Sequence, residues 1–523
     1  MGKYNKQKEG VKPVQNLEGG MGFKMNLEYE LISMLSSGME NNFYEKESER
    51  EKRLSDVINA LAKKNPVFVA KALIYARTVI GQRSVTHVGS VMLAKYLSGT
   101  QLGAKFFSKR MKKENKGGIV YRLDDMHEIL SYYLLRENSK SIPNSIKKGF
   151  KNVLENSDEY ELAKYQAKSK DISLVDIVNL VHPKPNEKMM DVFRKLMVGE
   201  LKQFNTAEDK NTKSGQEVAK QVKSGELTTE EAKEKLNELK SENWKELICS
   251  GKIGYFALLR NLRNIVTQSD DTTFYKALDI LIDGKRVRES LVFPHQIDLA
   301  FEVILDEYNG NRLTSLLTAI NKAYELSIPN LKNLFTHGKT AVVFDTSGSM
   351  ESSWSPMYIG SKSTKKRPVD KAALIAATLS KAIGSDMFHF ASSCERIKYN
   401  PLDSIATIRE TNTKKIGRVG HGTSFSSIFD TLLTEGKYDR IFVISDMQGS
   451  DSLSTSSSYK EYCAKYGTPY VYSINLCGYS TTMFKPQKKV IDLFGYSKDI
   501  YEYIKVAEID PEKILKEINA IEI

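Results

Sequence analysis

Asp345-Thr346-Ser347-Gly348-Ser349 sets a carboxylate and two hydroxyls at alternate positions of one tight loop. These are hard oxygen donors suited to Mg²⁺, the ion expected here, or to Mn²⁺. Two later stretches offer more of the same chemistry: Gly422-Thr423 in a glycine-rich turn, and Ser445-Asp446 directly after the apolar run Ile441 to Ile444. His421, beside Thr423, is the one candidate base, and a loop-structural role is the more ordinary one for it. There is no P-loop, no G-x-S-x-G, no H-E-x-x-H and no paired-carboxylate nuclease signature. The site therefore reads as one that binds rather than catalyses, and the expectation is a protein that is not an enzyme. Cys249, Cys394, Cys463 and Cys477 stand apart, with no C-x-x-C pair, so neither a zinc site nor a disulfide framework is expected.

Oxygen donors so far apart in sequence meet only if a fold brings their loops to one edge. From Lys339 onward, short apolar runs alternate with helical stretches: Thr340 to Phe344, the alanine-rich Val369 to Ile383, Met387 to Phe390, Ser426 to Leu433, Arg440 to Ser445, Tyr470 to Leu476 and Pro511 to Asn519. That alternation predicts a doubly wound α/β domain over 338–523, which binds its ligands at the C-terminal ends of its strands. From Leu27 to Asn333 the signal is helical periodicity instead, as in Asn65-Pro66 followed by Phe68, Ala72, Tyr75 and Val79. No stretch of that half alternates with period two, so strands are not expected there. Antiparallel helix pairs stacked as in HEAT-type solenoids are the natural architecture. Residues 206–242, rich in Lys, Glu, Ser and Thr, read as a polar insertion within it, with a solvated helix over Glu226 to Leu239.

The chain has 523 residues, 41% of them hydrophobic and 27% charged, which excludes disordered, collagenous and disulfide-stapled classes and predicts two or more domains. Residues 1–15 read as a basic tail without the apolar run of a signal peptide, and no window of 18 apolar residues follows. Lys6 stands where a myristoylation signal has a small hydroxyl residue. A cytoplasmic protein without a membrane partner is expected. Its net charge of +12 is local: residues 51–150 hold 19 Lys and Arg against 7 Asp and Glu, and the other 423 residues hold 58 of each. The densest stretch, with Lys105, Lys109, Arg110, Lys112, Lys113 and Lys116 against Glu114, makes a positive field suited to phosphate backbones.

Placed after a buried strand, the D-x-S-x-S loop with its threonine loop and its S-D pair resembles the metal-ion-dependent adhesion site of von Willebrand factor A domains. That resemblance implies that Asp345, Ser347, Ser349 and Thr423 approach a metal directly or through water, with Asp446 behind them. An open position would accept a carboxylate from a partner. Ser424 stands where many such domains have an acid.

In the helical half, Asn16-Leu17-Glu18-Gly19-Gly20, Leu31-Ile32-Ser33-Met34-Leu35, the stretch Asp176 to Pro185 containing Leu180-Val181-His182-Pro183-Lys184-Pro185, and Ala257 to Leu262 occur in an order that resembles the Ro autoantigen family. Its helical part is the TROVE module, which the resemblance sets over 16–337, outside the 206–242 insertion, with bacterial or phage-type Ro ribonucleoproteins as the nearest kind. It implies a closed, monomeric ring of helical repeats completed by the A-type domain. Such a ring binds Y-like small RNA on a basic outer surface, admits single-stranded 3′ ends of misfolded noncoding RNA to its hole, and serves RNA quality control, with an exoribonuclease as a further partner. It also implies that His182 and the basic pair Lys164 and Lys168 contact RNA. Lys168 stands where the family often has arginine, so a bidentate clamp becomes a point charge. Lys147, Lys148 and Lys151, one helix earlier, suit phosphates as well. For His182 the ordinary alternative is a cap or turn residue before Pro183. The competing function is a metal-dependent protein-interaction scaffold without RNA binding, which leaves the basic surplus unexplained.

Overall fold

In the computed structural model, residues 12–38, 43–111, 114–137, 141–166, 172–201, 207–251, 253–290, 292–328, 334–335, 337–351, 357–359, 362–364, 367–451, 454–495 and 499–523 are described. The first half is helical from Leu27 to Ser327, and the caps explain where its helices start. The Asn65 side chain accepts the Phe68 N–H at 3.0 Å with Pro66 in the first turn, and Ser173 and Asp176 close a capping box on the helix Leu174–Val181. The helical periodicity of this half is realised in helices such as Glu47–Ala62, Ser84–Leu97, Tyr255–Gln268 and Leu313–Ser327.

Strands do occur in and before this half, which corrects the expectation of none. β1 (Pro13–Gln15) and β2 (Met21–Lys24) pair antiparallel, and β3 (Arg110–Met111) and β4 (Lys116–Gly117) form a two-residue ladder. They are too short to show a period. The stretch read as a polar insertion holds helix Ala207–Lys223 and the first part of helix Thr229–Cys249, in which Ala232 is buried; the helix's other buried residues, Trp244 and Ile248, lie beyond the stretch.

The second half holds β5 (Thr340–Asp345), the ladder β6 (Met357–Ile359) and β7 (Lys362–Thr364), β8 (Asp386–Phe390), β9 (Cys394–Ile397), β10 (Arg440–Ser445), β11 (Tyr470–Asn475), β12 (Thr481–Thr482) and β13 (Val490–Phe494). Six of them make one sheet in the order β13-β11-β10-β5-β8-β9, parallel except for β9. Helices Pro368–Ile383, Ser426–Glu435 and Ser454–Tyr466 lie between its strands in sequence. β5 and β10 are neighbours in register, Ala341 opposite Ile441 and Phe344 opposite Ile444, so the loops after them open at the same edge.

Both ends of the helical run touch this second domain. At the front, helix Leu27–Ser37 packs on β13, and helix Lys513–Asn519 packs on helix Pro66–Tyr75, so Phe494, Ile518 and Ile521 share an apolar core with residues 25–201. At the back, helices from Trp244 to Ile328 share a second core with one face of the sheet, where Arg409 of the domain pairs with Asp298 at 3.4 Å and Glu302 at 2.5 Å. A third core, with Phe425, Phe429 and Tyr462, covers the other face. Among the described residues no helix is long and apolar enough to cross a membrane.

Candidate functional site

The sheet edge brings the five expected metal-site residues together. Asp345 ends β5 fully buried; its Oδ1 accepts the Ser347 N–H at 2.8 Å and its Oδ2 accepts the Ser445 hydroxyl at 2.5 Å. The Ser347 and Ser349 hydroxyls lie 3.3 Å apart. The Gly348 N–H donates to the His421 carbonyl at 2.9 Å, tying the D-x-S-x-S loop to the loop of Thr423, and the Ser450 N–H donates to the Thr423 carbonyl at 2.9 Å. Asp446, 1% exposed, accepts the Gln448 N–H on Oδ1, while its Oδ2 has no hydrogen-bond partner. An orphaned buried carboxylate oxygen costs free energy that a cation would return.

Burial pushes the Asp345 carboxyl above the ordinary range, against the hydrogen bonds from Ser347 and Ser445. Burial and then the neighbouring Asp345 charge raise Asp446 further. The donors present are carboxylate and hydroxyl oxygens, which fit a hard divalent ion. Among the described residues no three of His, Cys, Asp and Glu are grouped to hold a metal, so any cation here depends on the hydroxyls of Ser347, Ser349 and Thr423. The His421 carbonyl accepts the Gly348 N–H, and its ring lies against Gly417, where a Cβ would sit 2.9 Å from it.

Sequence reasoning missed a sixth residue. Glu18, from the loop between β1 and β2, reaches Thr423 and feels the charge of Asp345. Burial pushes its carboxyl up to about 7; contacts with the Thr423 hydroxyl and N–H oppose this, and the charge of Asp345 adds to it. Tyr44 stands at Ser349. The signal for Glu18 was present in Asn16 to Gly20, where a carboxylate precedes two glycines, but nothing local says where that loop docks.

The expected RNA-contacting residues lie on the helical half. Lys147, Lys148 and Lys151 project from helix Asn144–Glu155 opposite its buried face of Ile146, Phe150, Val153 and Leu154. Helix Leu174–Val181 packs on it, and at its end His182 is a C-cap in the left-handed region (φ 47°), its N–H donating to the Val178 carbonyl at 3.0 Å. The capping alternative is thus what the backbone does, while the side chain stays exposed. Glu155 joins the two helices: it accepts the Lys184 N–H at 2.7 Å and lies 3.9 Å from Lys151 Nζ. Lys164 is exposed near the end of helix Glu159–Tyr165, its Nζ 5.7 Å from the Tyr160 ring centroid. Lys168 lies outside the described residues, as do Lys112 and Lys113. The densest basic stretch is partly structural: Arg110 is buried and bonds the Glu522 carbonyl, Lys109 pairs with Glu161, and Lys116 with Glu114.

Residues 222–309 match the TROVE domain family model. The match begins inside the stretch read as an insertion, and helix Thr229–Cys249, with its buried Trp244, belongs to it. The fold is similar to that of the Deinococcus radiodurans Ro (RSR) protein, with a TM-score of 0.53 and 14% identity over 92% of this chain and 100% of that one. The Ro resemblance is borne out. No curated protein gives a significant sequence match. At 14% identity the likeness to the Deinococcus Ro protein shows the fold, a helical first half followed by a mixed, largely parallel sheet.

Proposed function

We propose that this protein is an RNA-binding protein of the Ro type, with the TROVE module as its RNA-handling part. Y-like small RNA binds the outer face that carries Lys147, Lys148, Lys151, Lys164 and His182, and Lys168 contributes a further cation by its place in the sequence. Single-stranded 3′ ends of misfolded noncoding RNA would enter the hole of a ring formed by the helical run. The observation that carries this reading is the Glu155 junction, which sets a three-lysine helix face against the His182–Lys184 turn. That is a solvent-facing, phosphate-compatible surface on a fold shared with a Ro protein. A helical run whose two ends both meet one domain supports a ring closed by a single chain. The protein would act in the cytoplasm as a monomer, presenting ends to an exoribonuclease without cutting RNA itself.

Asp345, Ser347, Ser349 and Thr423 would hold Mg²⁺, or Mn²⁺ in its place, with Asp446 behind them, in the manner of a von Willebrand factor A domain. The ion would supply a position that takes a carboxylate. Ser445 fixes the Asp345 carboxylate, and the carbonyls of His421 and Thr423 fix the loops around it.

The test is binding of a structured small RNA with a 3′ single-stranded tail against its blunt-ended counterpart. Preference for the tail supports the reading. Failure to bind either RNA at moderate salt would favour the metal-dependent protein-interaction scaffold.

A further inference from the structure

The loop carrying Glu18 is fastened to the metal-site edge at every turn. Asn16, 6% exposed, donates from Nδ2 to the Gly449 carbonyl at 2.8 Å; the Leu17 N–H donates to Gln448 Oε1 at 2.9 Å; the Met21 N–H donates to the Asp451 carbonyl at 2.8 Å. Gly20 lies so close to this edge that a Cβ would sit 2.2 Å from the Gly449 carbonyl oxygen and 2.4 Å from that of Asp451. Downstream, β2 pairs with β12, and Arg50 and Arg53 of helix Glu47–Ala62 donate to the Cys477 and Gly478 carbonyls at 2.8 and 2.9 Å.

All this holds one carboxylate at Thr423, beside Asp345, with its Oε2 buried and without a hydrogen-bond partner. Asp446 Oδ2, in the same group of acids, is orphaned too. The charges of Glu18 and of Asp446 each work against that of Asp345. A divalent cation held by Asp345, Glu18 and the neighbouring hydroxyls would turn that repulsion into attraction.

We propose that Glu18 fills the carboxylate-accepting position of the metal site, so that the ion clasps the chain's own N-terminal segment to the C-terminal domain and leaves no position open for an acidic partner. The inference rests on the metal site described under Proposed function. It requires that Glu18 donate an oxygen to the ion, which no partner protein then supplies.

Mg²⁺ binding to the full chain by calorimetry, with and without acetate, tests it for the natural protein, Glu18→Gln, Glu18→Asp and Asp345→Ala. The natural protein should bind Mg²⁺ with an affinity that acetate leaves unchanged. Glu18→Gln should bind about 10-fold or more weakly, by the usual cost of disturbing a metal ligand set, and acetate should restore part of that loss because it enters the vacated position. Glu18→Asp should fall between the two. Each variant is first checked for an unaltered far-UV circular dichroism spectrum; should Glu18→Gln fail this, Glu18→Asp carries the comparison. Mg²⁺ affinity of Glu18→Gln equal to that of the natural protein, or an acetate effect equal in both, overturns the proposal. Absence of Mg²⁺ binding by the natural protein removes the metal reading and the clasp with it. Binding that is lost in Asp345→Ala but untouched in Glu18→Gln overturns the clasp alone.

Discussion

The sheet edge and the outer helical face are both polar, yet they are built by opposite rules. At the edge, Asp345, Asp446 and Thr423 are buried, and hydrogen bonds between loops up to 100 residues apart hold them in place. On the helical face, Lys147, Lys148, Lys151 and Lys164 extend from short helices whose undersides do the packing. Buried polar groups act as a unit and fail as one. Exposed lysines act one phosphate at a time, and their effects add. The difference separates a geometrically demanding ion site from a tolerant surface for a polyanion.

The largest expected effect tests the first rule within the helical half. Asp125, fully buried, bonds Arg77 at 2.9 Å and His87 at 3.1 Å. Burial would raise its pKa, but the His87 hydrogen bond and the Arg77 charge hold it well below the ordinary carboxylate range. Asp125→Ala should cost about 3–5 kcal/mol, read from chemical denaturation, because it strands a buried Arg77. Since the folded pKa lies below the unfolded one, Asp125 contributes stability above the unfolded value, about 3.9, and loses it as pH falls through the folded value. A melting temperature that drops equally steeply below pH 4 with and without Asp125 would contradict this.

Next in size is Asp345→Ala, which should abolish the thermal stabilisation by Mg²⁺, worth about 2.7 kcal/mol at a hundredfold excess over Kd, and leave RNA affinity unchanged. A surviving Mg²⁺ response would place the ion elsewhere. Replacing Lys147, Lys148 and Lys151 together by Ala should weaken RNA binding and make the slope of log affinity against log salt shallower by about 2–3. Thermal stability should stay within about 0.5 kcal/mol, since these are surface positions. Lys164→Ala with Lys168→Ala should act in the same direction by one to two units of slope. Unchanged affinity at about 0.15 M salt would remove that pair from the interface.

Where chemistry and fold are local, they were legible. Thr340 to Phe344 and Arg440 to Ser445 announce buried parallel strands by apolar run alone, and the D-x-S-x-S loop follows the first of them. The helix starts were legible through Asn65-Pro66 and Ser173. Pairing across the chain was not. β2 meets β12 about 460 residues away, and β9 is four residues of mixed polarity. Helix Thr229–Cys249 runs past the 206–242 stretch, and the residues that anchor it in the second core, Trp244 and Ile248, lie beyond that stretch. Glu18 was hidden for the same reason: its loop is defined by Gly449 and Asp451, which no local pattern connects to it.

The most direct test of the account is the affinity for a 3′-tailed structured RNA across a salt series, for the natural protein and for the Lys147, Lys148 and Lys151 triple alanine variant, each with and without EDTA. The account predicts tight, salt-sensitive binding that EDTA leaves intact and that the lysine substitutions weaken. Binding that collapses on EDTA and ignores the lysines would contradict it, and would move RNA recognition to the sheet edge.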